Sequence, residues 1–261
     1  MKQFGLIGYP LSHSFSKKYF TEKLKKLGLT DHRYELFPLE SIEDLPQLIA
    51  DNPNLVGLNV TIPYKESVIP FLSVLDETAK VVGAVNTIVI ISNPSPLRGT
   101  PPTLEGEFKL IGYNTDVIGF SQSIKPLLHP QHERALILGT GGAAKAVAHV
   151  LKGLGIQYYF VSREKKNLPN CLTYAELNQA VFNTCKMVIN TTPLGMYPNI
   201  DDAPALPYEF FTAEHLAYDL VYNPTDTRFM QLAAQQGAHA VNGLNMLYSQ
   251  AEAAWKIWNK D

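Results

Sequence analysis

Cysteine is almost absent, with Cys171 and Cys185 the only two in 261 residues. Two thiols cannot form the disulfide framework of a small secreted domain, nor a cysteine-based zinc site without histidines to complete it. A reducing, cytoplasmic setting and no metal are therefore expected. Excess charge of one sign is missing as well: Lys plus Arg is 22, Asp plus Glu is 24 and the formal charge is −2. Such a chain has no surplus of basic groups to hold a phosphate backbone, so nucleic acid is not an expected partner. Long apolar runs are lacking too. The most continuous one, residues 81–91, is interrupted by Asn86 and Thr87 and falls short of the roughly 20 residues that cross a bilayer. Residues 1–20 contain Gly5, Gly8 and Pro10 without a long apolar core or a small-residue cleavage site, so neither membrane insertion nor export is expected. What is present is 46% hydrophobic and 18% charged residues. That suffices for the core of one large or two modest soluble domains and excludes a disordered chain.

The periodicity alternates between strand and helix. Residues 3–7 read as a short apolar strand, and residues 14–27 then set Phe15, Tyr19, Phe20, Leu24 and Leu27 at helical spacing before Gly28. Residues 33–37 and 55–61 read as further strands, 42–50 as a helix, and another helix is expected from Tyr64 after Pro63. Repeated β–α units argue for a mainly parallel sheet covered by helices. Residues 85–91 and 108–113 read as an antiparallel hairpin around a proline-rich surface loop, 92–106. Pro126 and Pro130 suggest a domain junction within 116–132. The β–α rhythm then restarts: strands at 135–138, 158–161, 187–190 and 217–221, helices at 143–154, 174–181 and 228–236, and a final amphipathic helix at 244–258.

Gly139-Thr140-Gly141-Gly142-Ala143-Ala144 fits G-x-G-x-x-A, after a strand and at the start of a helix. That context suits a dinucleotide pyrophosphate: one glycine for the turn, one for close backbone approach, and helix amides with a positive dipole for the anion. A ligand-free tight turn is the alternative. About 20 residues further on, NAD-binding chains place an acidic residue on the ribose diol, whereas this one has Ser162-Arg163. A guanidinium there, with Lys165 and Lys166 behind it, suits a 2′-phosphate and favours NADP. Glu164 could instead repel that phosphate or bind a diol.

Three segments of the first half carry polar groups where parallel sheets keep their ligands: residues 13–16, 59–65 and 114–116. Singly, Ser14 would be a helix N-cap, Lys65 a surface lysine and Asp116 another cap. Taken in order, I-G-Y-P-L-S-H-S-F-S, N-V-T-I-P-Y-K, G-A-V-N-T, N-T-D-x-x-G-F, G-T-G-G-A-A, N-T-T-P-L-G-M, D-L-V-Y-N-P-x-x-T and G-L-N-M-L-Y-S-Q span Leu6 to Gln250 and resemble the shikimate dehydrogenase family.

The resemblance implies an NADPH-dependent enzyme interconverting 3-dehydroshikimate and shikimate in aromatic amino-acid biosynthesis. It implies two α/β domains: a mainly parallel substrate-binding sheet over 1–116 plus 244–261, and a Rossmann-type doubly wound NADP-binding domain over 117–243. By motif, Ser14, Ser16 and Tyr222 would hold the substrate carboxylate, and Thr61, Asn86 and Gln250 the ring hydroxyls. Lys65 and Asp116 would be the catalytic pair. Gly139, Thr140, Gly141, Gly142, Ala143 and Ala144 would cradle the pyrophosphate, with Ser162 and Arg163 at the 2′-phosphate and Thr191, Gly243 and Met246 also on the cofactor. A lysine paired with an aspartate can move the carbinol proton and stabilise the developing oxyanion, and the two titrate together. A monomer or homodimer is expected.

Three features depart from the family pattern. Lys17 and Lys18 stand after Ser16, where proline is usual; Ser162-Arg163-Glu164 replaces Asn-Arg-Thr; and 92–106 reads as an insertion. A quinate/shikimate dehydrogenase using NAD and a non-catalytic NADP-sensing module are the alternatives.

Overall fold

A computed structural model describes residues 1–11, 14–92 and 108–260. His13 and nearly all of the expected loop at 92–106 lie outside the described residues. The chain divides into two compact units, Met1–Thr115 with Ala251–Asp261, and Asp116–Gln250.

In the first unit the apolar alternation of the sequence becomes β1 (Lys2–Gly8), β2 (His32–Pro38), β3 (Leu55–Val60), β4 (Val74–Leu75), β5 (Thr87–Ser92) and β6 (Phe108–Tyr113). They form one sheet in the order β2-β1-β3-β5-β6-β4. β1 runs parallel to β2 and β3, and β4 parallel to β6, while β5 is antiparallel to β3 and β6. One face packs Ile7, Leu58, Val60 and Ile88 against Leu45 and Ile49 of helix α2 (Leu45–Asp51). The other packs Phe4, Leu6 and Tyr34 against Phe20 of α1 (Phe15–Lys26), together with Ala251, Ala254 and Trp258. Fully burying one such side chain contributes about 1.5–3 kcal/mol. α3 (Glu77–Val82) begins where the Asp76 carboxylate accepts from the Ala79 amide at 2.8 Å, and it stops at Gly83, φ 68°.

The second unit restarts with α4 (Asp116–Ile124) and continues through β7 (Arg134–Leu138), α5 (Gly142–Gly153), β8 (Gln157–Ser162), β9 (Cys171–Thr173), α6 (Gln179–Thr184), β10 (Met187–Asn190), β11 (Leu216–Asp219), α7 (Arg228–Gln235) and β12 (His239–Val241). The strand order is β12-β11-β10-β7-β8-β9 with every pairing parallel. Numbered within the unit this is 6-5-4-1-2-3, the doubly wound order whose direction reverses between β7 and β10. Buried side chains cover both faces of the sheet, Val147, Leu151 and Ile189 on one and Leu138, Val188 and Phe229 on the other. The last helix, α8 (Leu244–Trp258), begins in this unit and crosses the division after Gln250.

Two expected helices take other forms. After Thr61 the chain makes turns and a short 3₁₀ stretch, Ile69–Phe71, instead of an α-helix from Tyr64. The Lys65 carbonyl, which a helix would offer to the Ile69 amide, accepts from the Val85 amide at 2.7 Å, and the Ile69 amide donates to Glu66. Likewise the helix expected at 174–181 is a 3₁₀ turn, Tyr174–Glu176, in a capping box with Thr173; Asn178 then caps the separate helix α6.

Candidate active site

The end of β1 is fitted closely to the segment after β3. A Cβ on Gly8 would lie 2.5 Å from Thr61 Cγ2 and 2.9 Å from the Ile62 carbonyl. The Thr61 amide donates to Ile7 and the Tyr9 amide to Ile62. Thr61 and Lys65, both half-buried, therefore stand beside the strand that leads to Ser14. Ser14 occupies the N-cap of α1, yet its side chain makes no capping hydrogen bond. Ser16, the second residue of the helix and half-buried, hydrogen-bonds the buried Tyr34 phenol, whose ionisation burial pushes far up. Lys17, the departure from the family pattern, forms an ion pair with Glu35 of β2.

Behind these groups lies a buried polar network. The Tyr34 hydroxyl donates to Asn59 Oδ1 at 2.8 Å, and Asn59 Nδ2 donates to the Asn86 carbonyl and to Thr87 Oγ1, each at 3.4 Å. Asn86 Oδ1 accepts from the Thr115 amide at 2.7 Å, from Thr115 Oγ1 at 3.1 Å and from Thr87 Oγ1 at 3.1 Å. Asn59, Asn86, Thr87 and Thr115 are all at most 5% exposed. Buried polar groups satisfied in this way fix a single geometry, because breaking any one bond strands another. The backbone at Lys65 is tied to Val85 and that at Thr115 to Asn86, two consecutive residues.

In the second unit Asp116 is buried in the first turn of α4. Gly119, one turn on, is required by packing: a Cβ there would meet the Met246 carbonyl at 2.6 Å and Gln250 Cβ at 2.9 Å. Asp116, Met246 and Gln250 thus belong to one pair of closely packed helices. Gly243, just before α8, lies so near Leu220 that a Cβ would be 2.3 Å from its carbonyl. Tyr222 is half-buried, and burial raises the pKa of its phenol.

The glycine turn sits at the strand-order reversal. Gly139 has φ +104°, and its amide donates to Val161 at 2.8 Å; a Cβ would meet Thr191 Oγ1 at 2.9 Å. Thr191 Oγ1 in turn donates to the Leu138 carbonyl at 2.5 Å. Gly141 is the N-cap of α5, and a Cβ there would meet nothing within 4 Å. Gly142 opens the helix, Ala143 is half-buried and Ala144 packs in the core. The backbone therefore borders open space at the amide end of a helix, as an anionic pyrophosphate requires.

At the end of β8, the buried Ser162 hydroxyl donates to the Glu164 carbonyl and Arg163 is exposed. Burial raises the pKa of the Tyr174 phenol, and the Arg163 guanidinium opposes that rise. Of the two lysines that follow, Lys165 is paired with Glu176 at 2.8 Å, whereas Lys166 Nζ donates to Thr140 Oγ1 of the glycine turn at 2.6 Å. Among the described ion pairs, Arg163 and Lys166 are thus the basic side chains of this turn that no carboxylate holds.

One functional candidate escaped the sequence reading. Asp219, fully buried at the end of β11, accepts from Asn190, Val221 and Thr227. Its sequence signals are an acid ending the apolar run Leu216-Ala217-Tyr218 and its place at the head of D-L-V-Y-N-P-x-x-T, where only Tyr222 was given a role. No group of three or more metal-ligating side chains occurs among the described residues, and no described helix is long and apolar enough to cross a membrane.

A doubly wound sheet with a glycine turn and helix N-terminus at its reversal point defines a dinucleotide-binding α/β protein. Residues 6–88 match the shikimate dehydrogenase substrate-binding domain. The NADP(+) shikimate dehydrogenase of Carboxydothermus hydrogenoformans is 37% identical over 97% of this chain and 90% of its own. That of Clostridium beijerinckii is 36% identical over 100% and 93%. The Thermus thermophilus shikimate 5-dehydrogenase, solved with NADP(H) and shikimate, superposes with a TM-score of 0.81 at 30% identity, covering 99% and 94%. The chain belongs to the shikimate dehydrogenase family.

Proposed function

We propose that the chain is an NADP-dependent shikimate dehydrogenase, an oxidoreductase acting on a secondary alcohol, that reduces 3-dehydroshikimate to shikimate reversibly in aromatic amino-acid biosynthesis. The observation that carries this reading is kinship over at least 97% of the chain with named NADP(+) shikimate dehydrogenases. NADP supplies the hydride exchange when bound. Gly139, Thr140, Gly141, Gly142, Ala143 and Ala144 would hold its pyrophosphate, Ser162 and Arg163 the adenosine phosphate, and Thr191, Gly243 and Met246 the remainder. The open space at Gly141 and the exposure of Arg163 support that fit.

Ser14, Ser16 and Tyr222 would orient the substrate carboxylate through hydroxyls. Thr61, Asn86 and Gln250 would hold the ring hydroxyls. Asn86 Oδ1 accepts from Thr115 and Thr87, which fixes the orientation of its side chain. Lys65 and Asp116 exchange the carbinol proton, and the lysine charge stabilises the oxygen as negative charge develops. The tethering of the Lys65 backbone to Val85 supports the lysine's role, since such chemistry needs a fixed donor. A second reading, a quinate/shikimate dehydrogenase using NAD, is favoured by Glu164, an exposed carboxylate next to Arg163.

The test is oxidation of shikimate and of quinate, each with NADP⁺ and NAD⁺. Turnover of shikimate with NADP⁺ above the other three combinations is expected. No turnover of shikimate overturns the first reading, and preference for quinate with NAD⁺ establishes the second.

A further inference from the structure

Asp219 is a carboxylate of 0% exposure whose partners are all neutral and all donors. Asn190 Nδ2 donates to it at 2.9 Å, the Val221 amide at 3.0 Å and the Thr227 hydroxyl at 2.6 Å. No cation pairs with it among the described ion pairs. Burying an unpaired charge is costly, and the three donors are what offset that cost.

The directions of these bonds are fixed from outside. Asn190 Oδ1 accepts from the Thr192 amide at 3.0 Å and from the Thr192 hydroxyl at 2.6 Å, so its amide group must face Asp219. Thr227 Oγ1 accepts from the Met230 amide as N-cap of α7, so its hydrogen points to Asp219. The centre therefore requires a side chain that only accepts, and asparagine would bring a donor to Thr227.

What these bonds hold is two loops. Asn190 and Thr192 flank Thr191, whose hydroxyl borders the glycine turn at Gly139. Val221 precedes Tyr222, and its carbonyl accepts from the Gly243 amide at 3.3 Å. We propose that Asp219 is a positioning residue: its carboxylate, shared by the ends of β10 and β11, sets the Thr191 loop against the cofactor and the Tyr222 loop against the substrate. This rests on the roles given to Thr191 and Tyr222 under the proposed function.

The experiment compares wild type, Asp219→Asn and Thr227→Val by thermal melting, by calorimetric binding of shikimate and of NADP⁺ separately, and by steady-state kinetics. Asp219→Asn is expected to melt within about 4 °C of wild type, yet to bind each ligand about tenfold or more weakly, with both KM values raised together. Adding Tyr222→Phe to Asp219→Asn should weaken shikimate binding further by less than Tyr222→Phe does alone, because the phenol is already misplaced. Should Asp219→Asn fail to fold, Thr227→Val, which removes one of the three donors, must show the same joint loss of affinity. The proposal is overturned if the folded variants keep both affinities within about twofold of wild type and lose only melting temperature or kcat, or if the Tyr222→Phe effect is undiminished. Absence of shikimate binding by the wild type would remove the functional reading and this proposal with it, whereas a normal wild type with unaffected variants removes the proposal alone.

Discussion

At the scale of single residues, Lys65 is the sharpest test of the chemistry. If it moves the carbinol proton, Lys65→Ala should lower kcat by about two to four orders of magnitude while KM for shikimate changes modestly, as loss of a general acid–base does. Steady-state kinetics with shikimate and NADP⁺ decide it, and a variant with near-normal kcat removes the role. The buried titratable groups make a second prediction with opposing signs. His215, 1% exposed, donates through Nε2 to the Phe182 carbonyl and accepts at Nδ1 from the Thr212 amide. Burial pushes its pKa down, so the stability it contributes is present above the ordinary histidine range and lost as pH falls through its lowered value. His132 behaves the same way, for the same cause. Burial pushes Asp219 up to about 6, so its contribution is greatest below the ordinary carboxylate range and is lost as pH rises through about 6, on the order of 3 kcal/mol. Melting temperatures between pH 7 and pH 5 should therefore fall more steeply in Asp219→Asn than in wild type, and less steeply in His215→Gln. Parallel slopes in all three proteins would show that neither group titrates differently on folding.

At the scale of elements, the glycine turn separates a conformational requirement from a ligand requirement. Gly139 has φ +104° and Thr191 Oγ1 2.9 Å from a would-be Cβ, so Gly139→Ala should cost about 1–3 kcal/mol of stability. Gly141 has φ −80° and open space around it, so Gly141→Ala should leave the melting temperature within about 2 °C and raise the Kd for NADP⁺ about tenfold or more. Melting curves and calorimetry with NADP⁺ check both; if Gly141→Ala binds normally, no pyrophosphate approaches there. This turn was legible in the sequence because its signal is local: a strand, glycines at fixed spacing, then a helix. The β5–β6 hairpin was legible for the same reason. β4, β9 and β12 were not, since two or three residues show no period to read. The helix expected from Tyr64 failed on a long-range bond, Val85 to the Lys65 carbonyl, which no local pattern encodes. Asp219 was passed over for a related reason. Val221 and Thr227 stand with it in D-L-V-Y-N-P-x-x-T, but Asn190 lies 29 positions away, and only the folded strands bring it to the carboxylate.

At the scale of the whole molecule, α8 serves both units. Its first half places Met246 in the core of the second unit, and its last turns place Ala251, Ala254 and Trp258 in that of the first. Trp258 closes an aromatic cluster, with its ring centroid 4.9 Å from Phe4 and 5.3 Å from Phe20, and its Nε1 donates to the Ile88 carbonyl at 3.0 Å. Gly57 makes room for it, since a Cβ there would lie 2.5 Å from Nε1. Trp258→Ala should therefore cost the first unit about 3–5 kcal/mol. The second unit keeps its own core and the glycine turn, so NADP⁺ should stabilise that unit alone, by about 2.7 kcal/mol at a hundredfold excess over Kd. The two tryptophans, Trp255 and Trp258, both belong to the first unit, so in Trp258→Ala the emission of Trp255 reports that unit by itself while far-ultraviolet dichroism reports both. In denaturant the emission of this variant should change first and ignore added NADP⁺, and a later dichroism transition should move to higher denaturant with the nucleotide. Coincident transitions that NADP⁺ shifts together would instead show that α8 couples the two units into one cooperative fold, because a ligand can raise the stability of a segment it does not touch only through shared cooperativity.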